Sequence, residues 1–241
     1  MLEDDVDWDA RLRSVQIPRF AAAARTAFRE PQPTNYYGDL SQWDLIWVGH
    51  CGDYFIPIEE GVGVGHIFPS DLTEASPTLY DDPTVPGKND LHPFTASQME
   101  AFEVAPRTRF LHRAQRPLCS FAYAVTRAGA KTILSSVAPQ KAITFAFDFA
   151  MMKGCKHGTI KCWSLTPELF HHYPGASIIG KLDNHPFLPP VDKAGLDQVR
   201  ARNRTANIEC GLWAPGFDWE LCPEREEFKE QARLGHCLKL W

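Results

Sequence analysis

The chain has 241 residues, of which 44% are hydrophobic and 12% aromatic, and its formal net charge is -5. This length and apolar content suffice for one sizeable core, while the negative charge argues against a nucleic-acid-binding domain, which usually carries a concentrated basic stripe. No apolar run approaches the roughly 18 residues of a membrane span, so none is predicted.

The first predicted element is acidic. The run Leu2-Glu3-Asp4-Asp5-Val6-Asp7 concentrates carboxylates where a strand would run into a loop, and alternate residues of an extended backbone point to opposite sides. Glu3, Asp5 and Asp7 are therefore expected to share a side. Mg²⁺ and Mn²⁺ prefer oxygen ligands and bind through one or two carboxylates plus substrate phosphates and water. The run predicts a metal-nucleotide site, the alternative being a solvated, frayed acidic terminus.

The strand that should carry these acids is short. Only Met1 and Leu2 precede Glu3, whereas a typical strand has about five residues. The strand that should hold these acids is therefore nearly absent, and we expect the chain to be a truncated gene product.

Helical and strand signals alternate in the next fifty residues. Pro18 suits the first turn of a helix whose apolar side includes Phe20, Ala24 and Phe28. Residues 43–49 form a short apolar run ending in glycine, which predicts a buried strand reaching a turn. Strand end, helix and buried strand follow the rhythm of an α/β fold.

The remaining chain divides into an irregular segment, further elements and an extension. Residues 51–97 are rich in proline, glycine and aspartate and are expected to be irregular, as in a lid over a site. Strands are predicted at 107–112, 119–125 and 157–165, with Thr126 capping a helix over 128–137 and a short helix over 144–152. We expect one domain over residues 1–185 and an irregular or helical extension over 186–241.

Seven cysteines lack the paired spacing of a zinc site. Most are expected to be buried thiols. In an oxidising compartment, pairing of Cys155 with Cys162 or of Cys210 with Cys222 is the expected exception.

Three blocks in order resemble glycosyltransferase family 25, especially its fungal members. They are Leu2-Glu3-Asp4-Asp5-Val6, Trp43-Asp44-Leu45-Ile46-Trp47-Val48-Gly49 and Phe121-Ala122-Tyr123-Ala124-Val125-Thr126-Arg127-Ala128-Gly129-Ala130-Lys131. Phe147-Asp148 and Pro167-Glu168-Leu169-Phe170-His171-His172 lie behind them at matching positions. The resemblance covers most of residues 1 to about 185. It implies a GT-A-like, Rossmann-like nucleotide-sugar fold with a mixed sheet flanked by helices, in an enzyme that transfers a sugar with inversion. Compared with the family, the chain lacks the N-terminal strands, so the sheet is expected to expose an edge and an apolar face.

The resemblance also assigns roles to individual residues. It makes Asp5 the leading metal ligand, places Asp4 and Glu3 near the metal or the donor's ribose, and gives His172, or its neighbour His171, the place of an imidazole ligand. Asp148 is the candidate base for the acceptor hydroxyl. The two histidines could instead form a surface pair, and Asp148 could cap a helix.

The predicted function is therefore a metal-dependent hexosyltransferase. It would use Mn²⁺ or Mg²⁺ and a UDP-sugar, expected to be UDP-galactose, with a glycan or protein acceptor that the sequence does not identify. The alternatives are a noncatalytic, truncated remnant of such an enzyme and a metal-dependent phosphoesterase using the same carboxylates. The chain does not reveal its compartment, although an upstream anchor would place the full-length protein in the secretory pathway, in the Golgi.

Overall fold

The structure, a computed structural model, describes residues 1–29, 35–55, 70, 77–139, 146–173, 194, 198, 201, 204–213, 220–234 and 237. The strands are β1 (Val6–Trp8), β2 (Leu45–Gly49), β3 (Thr78–Asp81), β4 (Thr108–Arg113), β5 (Ala122–Val125), β6 (Cys162–Thr166) and β7 (Phe170–His172). The α-helices are α1 (Ile17–Ala27), α2 (Pro93–Ala101), α3 (Arg127–Thr132), α4 (Phe147–Lys156) and α5 (Cys222–Arg233). Short π-helical turns, Leu12–Gln16 and Ile133–Val137, precede α1 and follow α3.

The main sheet has five strands in the order β3-β4-β6-β2-β5, and β1 and β7 form a separate two-stranded sheet. β2 is parallel to β6, and the other pairs in the main sheet are antiparallel. All five residues of β2 are buried, as expected for an apolar run covered on both faces. The chain is therefore a mixed α/β protein with a mixed sheet, and the buried strand predicted within residues 43–49 is confirmed.

Side chains of β2 alternate between the two faces of the sheet, and helices pack against both faces. Ile46 and Val48 pack in one cluster with Phe20 and Phe28 of the α1 region. Leu45 and Trp47 pack in a second cluster with Met151 of α4 and with the turn that follows α3. Pro18 lies in the first turn of α1 and Thr126 Oγ1 accepts the Gly129 amide at 2.9 Å, so both predicted helix starts are confirmed.

The prediction that residues 51–97 are irregular throughout is wrong. β3 pairs with β4 at the edge of the sheet, and α2 begins at Pro93 after the cap His92. The strand signal was weak because β3 is a four-residue edge strand with exposed positions. Phe55 packs in a further apolar cluster with Phe102 and Phe110. Residues 56–69 and 71–76 of the predicted lid are outside the described residues.

The N-terminal residues bridge the two sheets. Leu2 pairs with Ala122 at the outer edge of β5, and the chain then turns through Asp4 and Asp5 into β1, which pairs with β7. Residues 204–213 lie against β1, where Asp9 pairs with Gly211. The boundary at residue 185 stays a prediction, but this part of the predicted extension contacts the first strand.

Three disulfides join the described residues: Cys51–Cys119, Cys155–Cys162 and Cys210–Cys237. The expectation of mostly free thiols is therefore wrong, as is the pairing of Cys210 with Cys222, whereas Cys155–Cys162 is confirmed. Short spacing favoured Cys222, but the tertiary path brings the Cys237 Cα to 4.7 Å from the Cys210 Cα. In the part of the chain that the structure describes, none of the helices has the length and apolar character needed to cross a membrane.

Candidate functional site

Asp5 and His172 meet where β1 begins and β7 ends. The register places Val6 opposite His172, and the Tyr173 amide donates to the Asp5 carbonyl at 3.2 Å. Asp5 Oδ2 consequently lies 2.9 Å from His172 Nε2. The other oxygen, Asp5 Oδ1, is buried and has no hydrogen-bond partner among the described residues. A buried carboxylate oxygen without a donor is unfavourable unless a ligand completes it.

Cys119, Ser120 and Phe121, which we call the site segment, connect this pair to the other predicted residues. Ser120 Oγ donates to Glu3 Oε1 at 2.7 Å, and the Glu3 amide donates to the Phe121 carbonyl at 2.9 Å. The Phe121 ring centroid lies 5.7 Å from that of His172. Glu3 and the Asp5–His172 pair therefore both lie beside the site segment, just before β5.

Asp148 reaches the same segment from the opposite direction. It lies in the first turn of α4, where Oδ1 accepts the Phe149 amide at 2.7 Å and Oδ2 accepts the Cys119 amide at 3.0 Å. A carboxylate in the first helical turn also complements the helix dipole. Asp148 therefore contacts the site segment, whereas the alternative that it caps the helix is wrong, because Ala146 is the N-cap residue of α4.

Asp4 is the least constrained of the five predicted residues. It lies in the turn between Glu3 and Asp5 and is exposed, with no side-chain hydrogen bond to any described residue. The structure therefore gathers Glu3, Asp5, His172 and Asp148 around the site segment and leaves the Asp4 carboxylate in solvent beside them.

Asp7 does not share the side of Asp5, contrary to the sequence-based expectation. It is 2% exposed, and its carboxylate accepts the Thr205 hydroxyl at 2.7 Å and the Leu212 amide at 2.6 Å. Burial raises the pKa of Asp7 despite these donors. Because the chain turns at Asp4 and Asp5, the strict alternation assumed from Glu3 to Asp7 is broken, and Asp7 faces residues 205–213 instead.

His171 forms a second carboxylate–imidazole pair on the buried side of β7. Its Nδ1 contacts Glu168 Oε1, which also accepts from Asn207 Nδ2 at 2.8 Å. Burial by itself would raise the pKa of Glu168, but the charge and hydrogen bond of His171 and the Asn207 donor outweigh it and lower that pKa to about 2. Glu168 Oε2 is buried and has no hydrogen-bond partner among the described residues.

Arg109 holds the turn that leads into β7. Its Nη1 donates to the carbonyl oxygens of Pro167 and Glu168, and its Nε donates to Asp82 Oδ2 at 2.7 Å. Both Arg109 and Asp82 have fully buried side chains. Burial would raise the pKa of Asp82, yet the adjacent guanidinium and the Thr84 donors keep it below its ordinary value. This buried pair fixes the chain just before the two histidines.

His50 and Asp53 lie directly after β2, near the end of the strand that leads towards the site. Both are buried. His50 Nε2 lies 3.1 Å from the Leu165 carbonyl, while Asp53 accepts the Ser164 hydroxyl and the Arg116 amide, each at 2.6 Å. They therefore join β2, β6 and the chain before β5, and they present no free carboxylate to the Asp5–His172 pair.

The sequence analysis assigned no site role to four residues that shape this region: Ser120, Phe121, Asn207 and Trp213. Ser120 and Phe121 lie in the first part of the strand predicted at 119–125, and the end of a predicted strand is a position that can point to a site. Asn207 and Trp213 carry no such signal, because their contacts span more than the length of any local motif. Trp213 stacks on Tyr173 with ring centroids 5.6 Å apart.

The chain matches no protein-family model, no curated protein and no solved structure. Within the described residues, no group of three or more His, Cys, Asp or Glu side chains is arranged to hold a metal ion. A metal at Asp5 and His172 would therefore have two protein ligands from these residues. That number is sufficient for Mg²⁺ or Mn²⁺ when phosphate oxygens and water supply the rest.

Proposed function

We propose that this protein is an inverting glycosyltransferase with a GT-A-like fold that transfers a sugar from a UDP-sugar to a hydroxyl acceptor with Mn²⁺ or Mg²⁺. The donor sugar expected from the resemblance to family 25 is galactose. The observation that carries the proposal is the Asp5–His172 pair, which joins two residues separated by 167 positions and leaves Asp5 Oδ1 buried without a hydrogen-bond partner among the described residues.

The donor set suits a cation that binds together with a diphosphate. Asp5 supplies a carboxylate oxygen and His172 an imidazole nitrogen, which Mn²⁺ accepts. When bound, the metal would offset the negative charge that develops on the departing UDP. If His172 bound the ion through Nε2, that bond would replace the hydrogen bond from this nitrogen to Asp5 Oδ2.

Glu3 and Asp4 would contact the nucleotide part of the donor. The Glu3 carboxylate is held by Ser120 Oγ at 2.7 Å, which leaves Glu3 Oε2 for a ribose hydroxyl. Asp4 is exposed in the adjacent turn and would accept a further donor hydroxyl. Carboxylates accept such hydrogen bonds strongly because they are charged.

Asp148 would accept the proton of the attacking hydroxyl. Each carboxylate oxygen has two lone-pair sites, and one backbone amide occupies one site on each oxygen of Asp148. The remaining sites can receive a proton while the amides keep the side chain oriented. Attack from the side opposite the departing UDP gives inversion.

Turnover of UDP-galactose with Mn²⁺ tests the metal assignment through Asp5→Asn. We expect kcat/KM to fall by about 100-fold or more, because charge stabilisation by a bound metal contributes several kcal/mol to the transition state. Asp81→Asn is the matched control, since Asp81 is an exposed carboxylate at the end of β3 that pairs with Arg19 of α1. Its activity should stay within about twofold of the native protein. Equal turnover by native protein and Asp5→Asn would remove the metal assignment.

A noncatalytic protein of the same fold is the second candidate. It is favoured by the absence, among the described residues, of any metal-binding group larger than a pair. This candidate keeps the fold but binds no nucleotide. Calorimetry with UDP and Mn²⁺ therefore separates the two candidates, because only the glycosyltransferase predicts a binding isotherm. Release of inorganic phosphate from the nucleotide, without sugar transfer, would instead indicate a phosphoesterase.

A further inference from the structure

The Cys51–Cys119 disulfide joins the end of β2 to the first residue of the site segment. The two cysteines are 68 positions apart, and their Cα atoms lie 5.5 Å from each other. The Cys51 amide also donates to the Leu118 carbonyl at 2.8 Å. Two independent bonds therefore hold the residues that lead into the site segment against the end of β2.

The backbone at Cys119 adopts a conformation that few side chains favour. Its φ is +64°, in the left-handed region that favours glycine. A non-glycine residue remains there only when its surroundings impose the conformation. The disulfide on one side and the hydrogen bond from the Cys119 amide to Asp148 on the other are the contacts that impose it.

Each residue of the site segment contacts a different member of the proposed site. The Cys119 amide holds Asp148, the Ser120 hydroxyl holds Glu3, and the Phe121 ring lies against His172. Since the three residues are consecutive, a displacement of Cys119 would move all three contacts together.

We propose that the Cys51–Cys119 disulfide is a positioning element of the donor site, required to place Glu3, Asp148 and His172 relative to one another. This inference rests on the proposed glycosyltransferase function for its consequence, weaker donor binding, but not for its structural part. Cys155–Cys162 offers a contrast, because it joins the last turns of α4 to the first residue of β6. Among the described residues, no hydrogen bond or disulfide links Cys155 or Cys162 directly to the site segment.

The test compares C51S/C119S with the matched control C155S/C162S. Both variants are examined by circular dichroism at a temperature where they are folded, by amide hydrogen exchange and by calorimetry with UDP and Mn²⁺. In C51S/C119S we expect faster exchange in residues 1–9 and 118–125 and about 10- to 100-fold weaker binding of UDP with Mn²⁺, the usual effect of losing support behind a metal ligand. In C155S/C162S both quantities should match the native protein.

A third variant, C51S/C119G, separates positioning from the loss of a covalent link. Glycine adopts a positive φ without steric penalty, so it should restore part of the lost affinity relative to C51S/C119S. No recovery would contradict the role given to the backbone conformation of Cys119.

The outcomes distinguish this inference from the proposed function. Native exchange rates in residues 1–9 and 118–125 of C51S/C119S would overturn the inference, whatever the protein binds. Failure of C51S/C119S and C51S/C119G to fold where C155S/C162S folds would also overturn it, because the disulfide would then serve global stability. Faster exchange in a protein whose native form binds no UDP with Mn²⁺ would uphold the positioning and reject the glycosyltransferase.

Discussion

His171 and His172 are consecutive residues on β7 with different carboxylate partners. His172 meets Asp5 in a partly exposed pair, whereas His171 contacts the buried Glu168. Alternation along a strand explains the difference, because neighbouring side chains point to opposite faces. One face of β7 thus presents an accessible imidazole, and the other anchors the strand to the interior.

The buried pair makes a specific prediction about acid stability. The pKa of Glu168 is about 2 in the folded protein, against 4.5 for an unperturbed glutamate. Since the folded-state pKa is the lower one, the stabilisation is complete above pH 4.5 and is lost as the pH falls from there towards 2. At full strength it is on the order of 3 kcal/mol.

Glu168→Gln should remove this pH-dependent contribution. The native protein should exceed the variant in free energy of unfolding at pH 6, and the gap should narrow steadily below about pH 4.5, as urea titrations at several pH values would show. Glu226→Gln is the control, because Glu226 is an exposed partner of Lys229. A gap between native protein and Glu168→Gln that is independent of pH would contradict the assignment of the low pKa.

At the scale of elements, the packing of α3 against the chain that enters β2 depends on one glycine. The Gly129 position faces the backbone of Asp44, whose Cα would lie 2.9 Å from an added Cβ. The Thr126 amide also donates to the Asp44 carbonyl at 3.0 Å. The start of α3 is therefore in direct backbone contact with Asp44, the residue that precedes β2.

Gly129→Ala should destabilise the protein by about 1 to 3 kcal/mol, because overpacking against rigid backbone outweighs the roughly 1 kcal/mol that alanine contributes inside a helix. Thermal unfolding of this variant and of Gly87→Ala measures the effect. Gly87 is a suitable control, since an added Cβ there would have no neighbour within 4 Å. An unchanged melting temperature for Gly129→Ala would show that α3 can move away from β2 at no cost.

At the scale of the whole molecule, residues 204–213 pack against β1, which is far from them in sequence. Thr205 and the Leu212 amide bind Asp7, and the Cys210 amide donates to Asp9 Oδ2 at 3.0 Å. Asn207 Nδ2 donates a hydrogen bond to Glu168 Oε1, and Asn207 Oδ1 accepts one from the His92 amide at 2.7 Å. Residues 204–213 therefore connect the N-terminal strand, the start of α2 and the turn before β7.

The Cys210–Cys237 disulfide should stabilise the packing of residues 204–213 against β1. It spans 27 positions, and loop entropy predicts that C210S/C237S lowers the free energy of unfolding by about 3 to 4 kcal/mol. Denaturant titration measures that loss, and amide exchange in residues 6–9 should rise with it. C155S/C162S, whose loop spans only 7 positions, should lose about 2 kcal/mol and leave that exchange unchanged. Equal exchange in residues 6–9 of native protein and C210S/C237S would show that the disulfide does not support β1.

The sequence alone determined the features that depend on short-range patterns. The apolar run before Gly49 predicted a buried strand, Pro18 and Thr126 marked helix starts, and the spacing of Cys155 and Cys162 allowed their pairing. Periodicity, backbone restriction and capping act over a few residues, so a single sequence carries them. The glycosyltransferase assignment also came from sequence blocks and remains a proposal.

Only the tertiary structure decided which of these residues meet. It brought Asp5 to His172, turned Asp7 towards Thr205, and joined Cys51 to Cys119 beside Asp148. These contacts depend on strand order and register, which are set by how the whole sheet buries its apolar faces. No local sequence pattern encodes strand order and register. The composition of residues 2–7 therefore predicted a metal site, but the residues that contact them could be found only in the fold.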